Sequence, residues 1–224
     1  MDATYRCSEV LPLFRGYAVD TLQGLDFYLK TLEEFIEREH SQELADLKQH
    51  GYRLPQDQQG EFWAWHYPVH WDEIFASQLR SSFVVTLVSL VESHVGMVAE
   101  QACEIAGTPL KPKDLRGGFL ERHRKCLQAL ASFTRPTDAI WDAVYEIRDV
   151  RNCIVHANSR IWETTNQQRL RSLVGRLPGL SASQDVIELS KEFPTHTLET
   201  VRGFILAIYD EAEKECTRVT TRRP

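Results

Sequence analysis

Between positions 72 and 105 the chain carries Ile74, Phe75, Leu79, Phe83, Val84, Leu87, Val88, Leu90, Val91, Val95, Val98 and Ala102. These spacings put apolar residues on most sides of a single helix. Such a helix has almost no side to give to water, so it belongs at the centre of a bundle with other helices packed around it. Two residues resist that setting. Glu92 and His94 fall inside the apolar stretch, and an unpaired buried carboxylate is very costly, so Glu92 must either face the end of the bundle or find a partner. The longest apolar run, 83–98, is broken by Thr86, Ser89, Glu92, Ser93 and His94. It is shorter than the ~20 residues a bilayer span needs, so no membrane segment is expected.

The remaining periodic segments supply partners for that helix. From 20 to about 48, Leu22, Leu25, Tyr28, Leu29, Leu32, Phe35 and Ile36 recur at helical spacing, with Asp20 as candidate N-cap and Gly51 and Pro55 closing the segment. Residues 56–60 form a polar, turn-like stretch. The segment 61–71 holds Phe62, Trp63, Trp65, His66, Tyr67, Pro68, His70 and Trp71, and it is expected to fill a groove between helices, a base-stacking surface being the alternative. After a loop marked by Gly107, Pro109, Pro112, Gly117 and Gly118, helices are expected over 119–133 and 137–157. The second of these keeps Ile140, Trp141, Val144, Ile147, Val150, Ile154 and Val155 in helical period. A short polar helix over 164–173, a brief extended piece at 186–189 and a last helix over 197–217 complete the chain. The expected fold is all-α, one domain over 1–224 with its core at about 20–217: a bundle of four to five main helices with short extra elements.

A net charge of −6 and a pI of about 5.8 exclude a protein that coats nucleic acid through a wide basic surface. A local basic cleft stays open, because Arg148, Arg151, Arg160, Arg169, Arg171 and Arg176 all fall in one stretch. Arg148 and Arg160, which flank the motif described next, are the candidates for substrate contacts. The five cysteines, Cys7, Cys103, Cys126, Cys153 and Cys216, are scattered and nowhere form C-x-x-C, so reduced and mostly buried thiols are expected. No basic leader precedes an apolar run near Met1, so a cytoplasmic protein is expected. Neither a phosphate-binding G-x-x-x-x-G-K-[ST] loop nor a dinucleotide-binding G-x-G-x-x-G is present, so no cofactor is expected. His66 and His70 are four apart, but Pro68 between them discourages the helix a metal pair would need.

One constellation carries chemistry. Arg151, Asn152 and His156 lie within six residues late in the helix over 137–157. Histidine, with an unperturbed pKa of about 6.5, suits general acid–base work, and arginine offers a planar fork of donors matched to phosphate oxygens. On a regular helix Arg151 and His156 lie about 140° apart, so they converge only if the helix ends or loosens, for which Asn158 and Ser159 provide the means. From spacing alone, a structural histidine near a helix C-terminus is the more common reason for such a pair.

The stretch Ile147-Arg148-Asp149-Val150-Arg151-Asn152-Cys153-Ile154-Val155-His156 resembles the signature of the HEPN superfamily, an arginine, a polar residue and a histidine after four to six intervening positions. Glu92, on the preceding apolar helix, stands where many members carry an acidic residue that supports the pair. The resemblance spans 78–157; 61–71 and 158–194 match nothing in it. It implies a homodimer in which two motifs face one another and cleave RNA without a metal. His156 would be the acid or base, Arg151 would stabilise charge on the phosphorane, and Asn152 would orient either group. A toxin, defence or RNA-processing role and a cognate antitoxin or sensor protein would follow. A HEPN module that binds RNA, nucleotide or a partner protein without cleaving, and an unrelated helical interaction protein with an accidental motif, are the alternatives.

Overall fold

The structure, a computed structural model, describes residues 3–222, with side chains described over 10–218. It is 77% helix and 4% strand, which makes the protein all-α. Helix α1 (Ala3–Gly51) is followed by α2 (Gln56–His66) and a π-type segment (His70–Ala76) that runs straight into α3 (Ser77–Ile105). Next come α4 (Phe119–Lys125), prolonged by a π-type turn (Cys126–Leu130), α5 (Asp138–Ala157) and α6 (Gln167–Leu173). A hairpin of β1 (Leu180–Ser183) and β2 (Val186–Leu189) leads into α7 (Glu192–Arg222). Its two-residue turn, Gln184 and Asp185, has positive φ at both positions, 49° and 60°, the backbone that matches the right-handed twist of paired strands.

The apolar helix is central, as its composition requires. On one side of α3, Phe83, Leu87, Val91, Val95 and Val98 pack with Leu22 and Leu29 of α1, Trp141 of α5 and Phe204, Ile205 and Ile208 of α7. On the other side Val84 and Val88 meet a second cluster built from Ile147, Val150 and Cys153 of α5, Leu170 of α6 and the hairpin residues Leu180 and Ile187. Helix α5 joins both clusters because its buried apolar residues from Trp141 to Cys153, with Val144, Ile147 and Val150 between them, recur every third position. Three residues advance about 300°, so the buried stripe rotates by about 60° at each step along the helix. The helix therefore crosses from one cluster to the other and leaves the opposite face of its C-terminal half open.

Several boundaries differ from expectation. Helix α1 begins far before position 20, and Asp20 is an exposed residue inside it rather than an N-cap. Leu11 and Ala18, both buried, extend the stripe of Leu22 and Leu29 backwards in the core, so the helix continues through Pro12. The polar stretch 56–60 is the first turns of α2, whose start is preset by the extended backbone of Pro55. That helix has no buried residue, so the aromatics do not fill an interhelical groove: Trp65 is 78% exposed. Only Pro68 is buried in the segment, while Trp71 packs against Ile36 and Leu79 and donates its indole N–H to Glu43 at 2.6 Å. The helix expected over 119–133 stops at Leu130, where Ser132 turns with φ 60°. Cys103 and Cys126 correct the reading of reduced thiols: they form a disulfide with an S–S distance of 2.12 Å. The α4 region packs on α3 and brings together two residues whose spacing in sequence gave no sign of it. Cys153 and Cys216 are buried, and the Cys7 side chain lies outside the described residues.

The stretch Gln56–Ile105 is long and apolar enough by composition to cross a membrane, with a mean hydropathy of 1.6 in its best window. Half of that window is buried in the bundle, as a core helix requires, which is compatible with a soluble protein.

His94, on the inward side of α3, is 4% exposed, and its Nδ1 shares a 2.7 Å hydrogen bond with the hydroxyl of the fully buried Tyr209. Burial lowers the pKa of His94 from its ordinary value, because the charged form is poorly solvated there. Below about pH 6.5 the unfolded chain takes up a proton that the folded chain refuses. Stability should therefore be highest above that pH and fall on acidification towards the lowered folded value. Urea unfolding of the wild type and of His94→Gln at pH 7.5 and 5.5 checks this. The wild type should lose more stability than the variant between the two pH values; equal losses would remove His94 as the cause.

Candidate functional site

The open face of α5 is placed by the two ends of that helix. Thr137 enters with extended backbone and Asp138 sits in the first turn, where a negative charge complements the helix dipole. At the other end Asn158 and Ser159 take left-handed conformations, with φ of 46° and 65°, and their N–H groups both return to the Cys153 carbonyl. Asparagine tolerates that backbone better than most residues, so α5 stops at Ala157.

Glu92 has its partner. The Arg151 guanidinium donates from Nη2 to Glu92 Oε2 at 2.8 Å and from Nη1 to the side-chain oxygen of Asn152 at 3.1 Å. The Arg151 side chain is 15% exposed and that of Glu92 31%, so the pair lies at the seam between α3 and α5, partly shielded from water. Arg151 Nε is buried without a protein partner. One turn earlier, Arg148 donates from Nη1 to Glu121 Oε1 at 2.6 Å and from Nη2 to Asp149 Oδ1 at 3.2 Å, and it lies over the Tyr145 ring. Burial works against ionisation of Glu121, but the hydrogen bond from Arg148 leads the opposing influences and holds the carboxyl below its usual range.

His156 is exposed on α5, and no described hydrogen bond or ion pair joins it to Arg151. The helix stays regular through Ala157, so its ending comes too late to turn the two side chains together, and the separation of about 140° persists within one chain. Arg160, expected to contact substrate, lies beyond the left-handed end, where it pairs with Glu163 at 2.9 Å on the surface. No described contact connects it with the Arg151 group. The structure thus brings together Glu92, Arg151 and Asn152, sets Arg148 beside them, leaves His156 on the neighbouring part of the open face and puts Arg160 outside.

Cys153 shares the motif but not its chemistry. Burial pushes its thiol up to about 11, so it holds its proton at neutral pH and is no nucleophile. Among the described residues no three His, Cys, Asp or Glu side chains gather in a way that could hold a metal ion. Beside the end of α5 a groove of about 630 Å³ runs between the start of α3 and β2, lined by Ser77, Gln78, Ser81, Ile154, Asn158 and Ser159, among others.

Two supporting carboxylates escaped the reading of the sequence. Asp149, 5% exposed, takes Arg169 Nε on its Oδ2 at 2.7 Å as well as Arg148. Its signal was available, since Asp149 falls next to the buried stripe of α5 just as Glu92 falls in that of α3. Glu121 lies far away in sequence, and only the packing of α4 on α3 brings it near. The chain matches no family model, no curated protein and no solved structure.

The partly shielded Glu92–Arg151 pair should be coupled in stability. Glu92→Ala and Arg151→Ala should each cost about 1–3 kcal/mol, because each leaves a partly buried charge behind. The double variant should cost less than the sum by about 1 kcal/mol. Denaturant unfolding of the four proteins measures this; a coupling of zero would mean that the pair behaves like an exposed surface bridge.

Proposed function

We propose that this chain is a metal-independent endoribonuclease of the HEPN kind, working as a homodimer whose active site is shared between two copies. The observation that carries this reading is the fixed Arg151 guanidinium. Glu92 holds it from the neighbouring helix and Asn152 from beside it, at the edge of the open face that also carries His156.

In the reaction, His156 takes the proton from a ribose 2′-hydroxyl, whose oxygen attacks the adjacent phosphorus. Arg151 donates to the equatorial oxygens as negative charge grows on the phosphorane. The 5′-oxygen leaves with a proton delivered by a histidine, giving a 2′,3′-cyclic phosphate and a 5′-hydroxyl. Proton uptake and proton delivery need two acid–base groups, and a two-fold axis at the open faces supplies the second His156. The same axis answers the divergence on α5, because a histidine from one copy meets the arginine of the other. Arg148 lies where it can contact the strand. A cytoplasmic toxin, defence or RNA-processing role fits such an activity, with an antitoxin or sensor protein to restrain it.

One observation favours a second reading, a HEPN module that binds RNA, nucleotide or a partner without cleaving. Arg151 and Arg148 each arrive with a carboxylate partner already in place, so the site offers little uncompensated positive charge to a polyanion.

Cleavage of a labelled RNA in EDTA separates the two. The wild type should cut, His156→Ala and Arg151→Ala should lose at least about a hundredfold, and Arg151→Lys should stay impaired because the planar fork is gone. Mixing the wild type with an equal amount of His156→Ala should, after subunit exchange, lower the activity given by the wild-type chains. Only about a quarter of the randomly assorted dimers then keep both His156 side chains, which is about half the number of complete sites that the wild-type chains form alone. No cleavage by the wild type would leave the binding module standing. Cleavage by the wild type that mixing leaves undiminished would place each site within a single copy.

A further inference from the structure

A carboxylate as deep as Asp149 is very unfavourable unless it is ion-paired and hydrogen-bonded. It is one of six buried polar or charged side chains among the described residues. Its two oxygens are met from two elements: Arg148 of α5 reaches Oδ1, and Arg169 of α6 reaches Oδ2 through Nε. The Arg169 side chain is 50% exposed, and no other described hydrogen bond or ion pair uses its guanidinium. A guanidinium anchored at Nε keeps donors on its terminal nitrogens for an outside acceptor, and the anchor removes part of the rotamer freedom that binding would otherwise have to remove.

Position along α5 sets where those donors stand. Asp149, Asn152 and His156 are spaced three and four apart and so share one side of the helix. Arg151, turned to Glu92 on α3, marks the other edge of the open face. Arg169, drawn over Asp149, therefore arrives on the His156 side, and Arg148 lies between the two edges.

We propose that Arg169, oriented by Asp149 and joined by Arg148, holds a second phosphate of the substrate strand next to the one attacked at Arg151 and His156. This rests on the ribonuclease reading and makes its substrate more specific: an unpaired RNA strand with at least two consecutive phosphates, not a mononucleotide. Asp149 is a positioning residue that acts through Arg169 and Arg148. Because Asp149 and Glu121 balance the charges of the two arginines, the subsite acts through short hydrogen bonds, and it selects for strand length without attracting polyanions from afar.

The test uses short RNAs that share one cleavable linkage. One ends there, and two others carry an added terminal phosphate on the 5′ or the 3′ side. With the wild-type protein one of the extended substrates should show a KM about tenfold lower than the minimal one, the value of a charge-assisted hydrogen bond or two, with little change in kcat. In Arg169→Ala that gain should fall below about twofold, and Arg169→Lys should keep part of it. Asp149→Asn should reduce the gain through the loosened arginine. Arg171→Ala, which removes an exposed arginine paired with Asp185, should keep it in full. Arg169→Lys keeps a cation beside Asp149, and Arg169→Ala leaves Asp149 its pair with Arg148, so these variants carry the test even if Asp149→Asn does not fold. An equal gain in the wild type and Arg169→Ala, or no gain from either added phosphate, overturns this inference alone. A wild type that cleaves none of the RNAs overturns the ribonuclease reading and this inference together.

Discussion

A helix that is apolar nearly all round has to be surrounded, and α3 imposes that requirement on the whole chain. Helices α1, α5 and α7 are long because each must cover part of it, and the hairpin with α6 closes the side the long helices leave uncovered. The polar residues inside α3 are then the points where the constraint is hardest to meet, and the two are resolved differently. His94 turns inward, stays neutral and shares a hydrogen bond with Tyr209, so it becomes part of the core. Glu92 lies about 160° further round the helix, on the seam with α5, where it stays partly hydrated and takes a guanidinium. Two residues apart in sequence, one becomes structure and the other becomes the anchor of the candidate site.

Most of the bundle was legible because long helices with strong periods are. The spans 72–105 and 137–157 carry the 3.6-residue period through many turns; α5 occupies the second almost residue for residue, and α3 fills the first from Ser77 on, behind the π-type segment. Where the reading missed, a local signal was overridden by packing. The first part of α1, which contains Pro12, lay outside the expected helix and is held helical because Leu11 and Ala18 extend its buried stripe. The aromatics between 61 and 71 were expected inside on the strength of their size, yet no residue of α2 is buried. The disulfide between Cys103 and Cys126 depends on helices meeting in three dimensions, which spacing along the chain does not encode.

The candidate site was legible in its residue types and only partly in its geometry. Glu92 could be singled out because a carboxylate in an apolar helix demands an explanation, and its partner is the arginine of the motif. Asp149 carries the same signal on α5, a carboxylate bordering Val150 and Cys153 of the buried stripe. Arg160 was chosen for nearness in sequence, but the left-handed turn at Asn158 and Ser159 redirects the chain before reaching it. Arg169, eighteen positions beyond Arg151 in sequence, comes to the motif because α6 folds back on α5. Nearness along the chain and nearness in space part company at a helix end, and here two residues mark where.

The pairing of charges around α5 follows from the same packing. Each guanidinium there sits against protein on at least one side, where it would be expensive without an anion, so the fold provides Glu92, Glu121 and Asp149. With a net charge of −6 on the chain, these arginines generate little field beyond a few ångströms, and a polyanion arriving by diffusion meets no broad positive surface. What remains is directional: donors whose orientation is already fixed by carboxylates and which cost little further ordering when an acceptor comes within reach. A site built this way discriminates by whether acceptor oxygens fall at the right places, and binds weakly to anything that offers charge without that geometry.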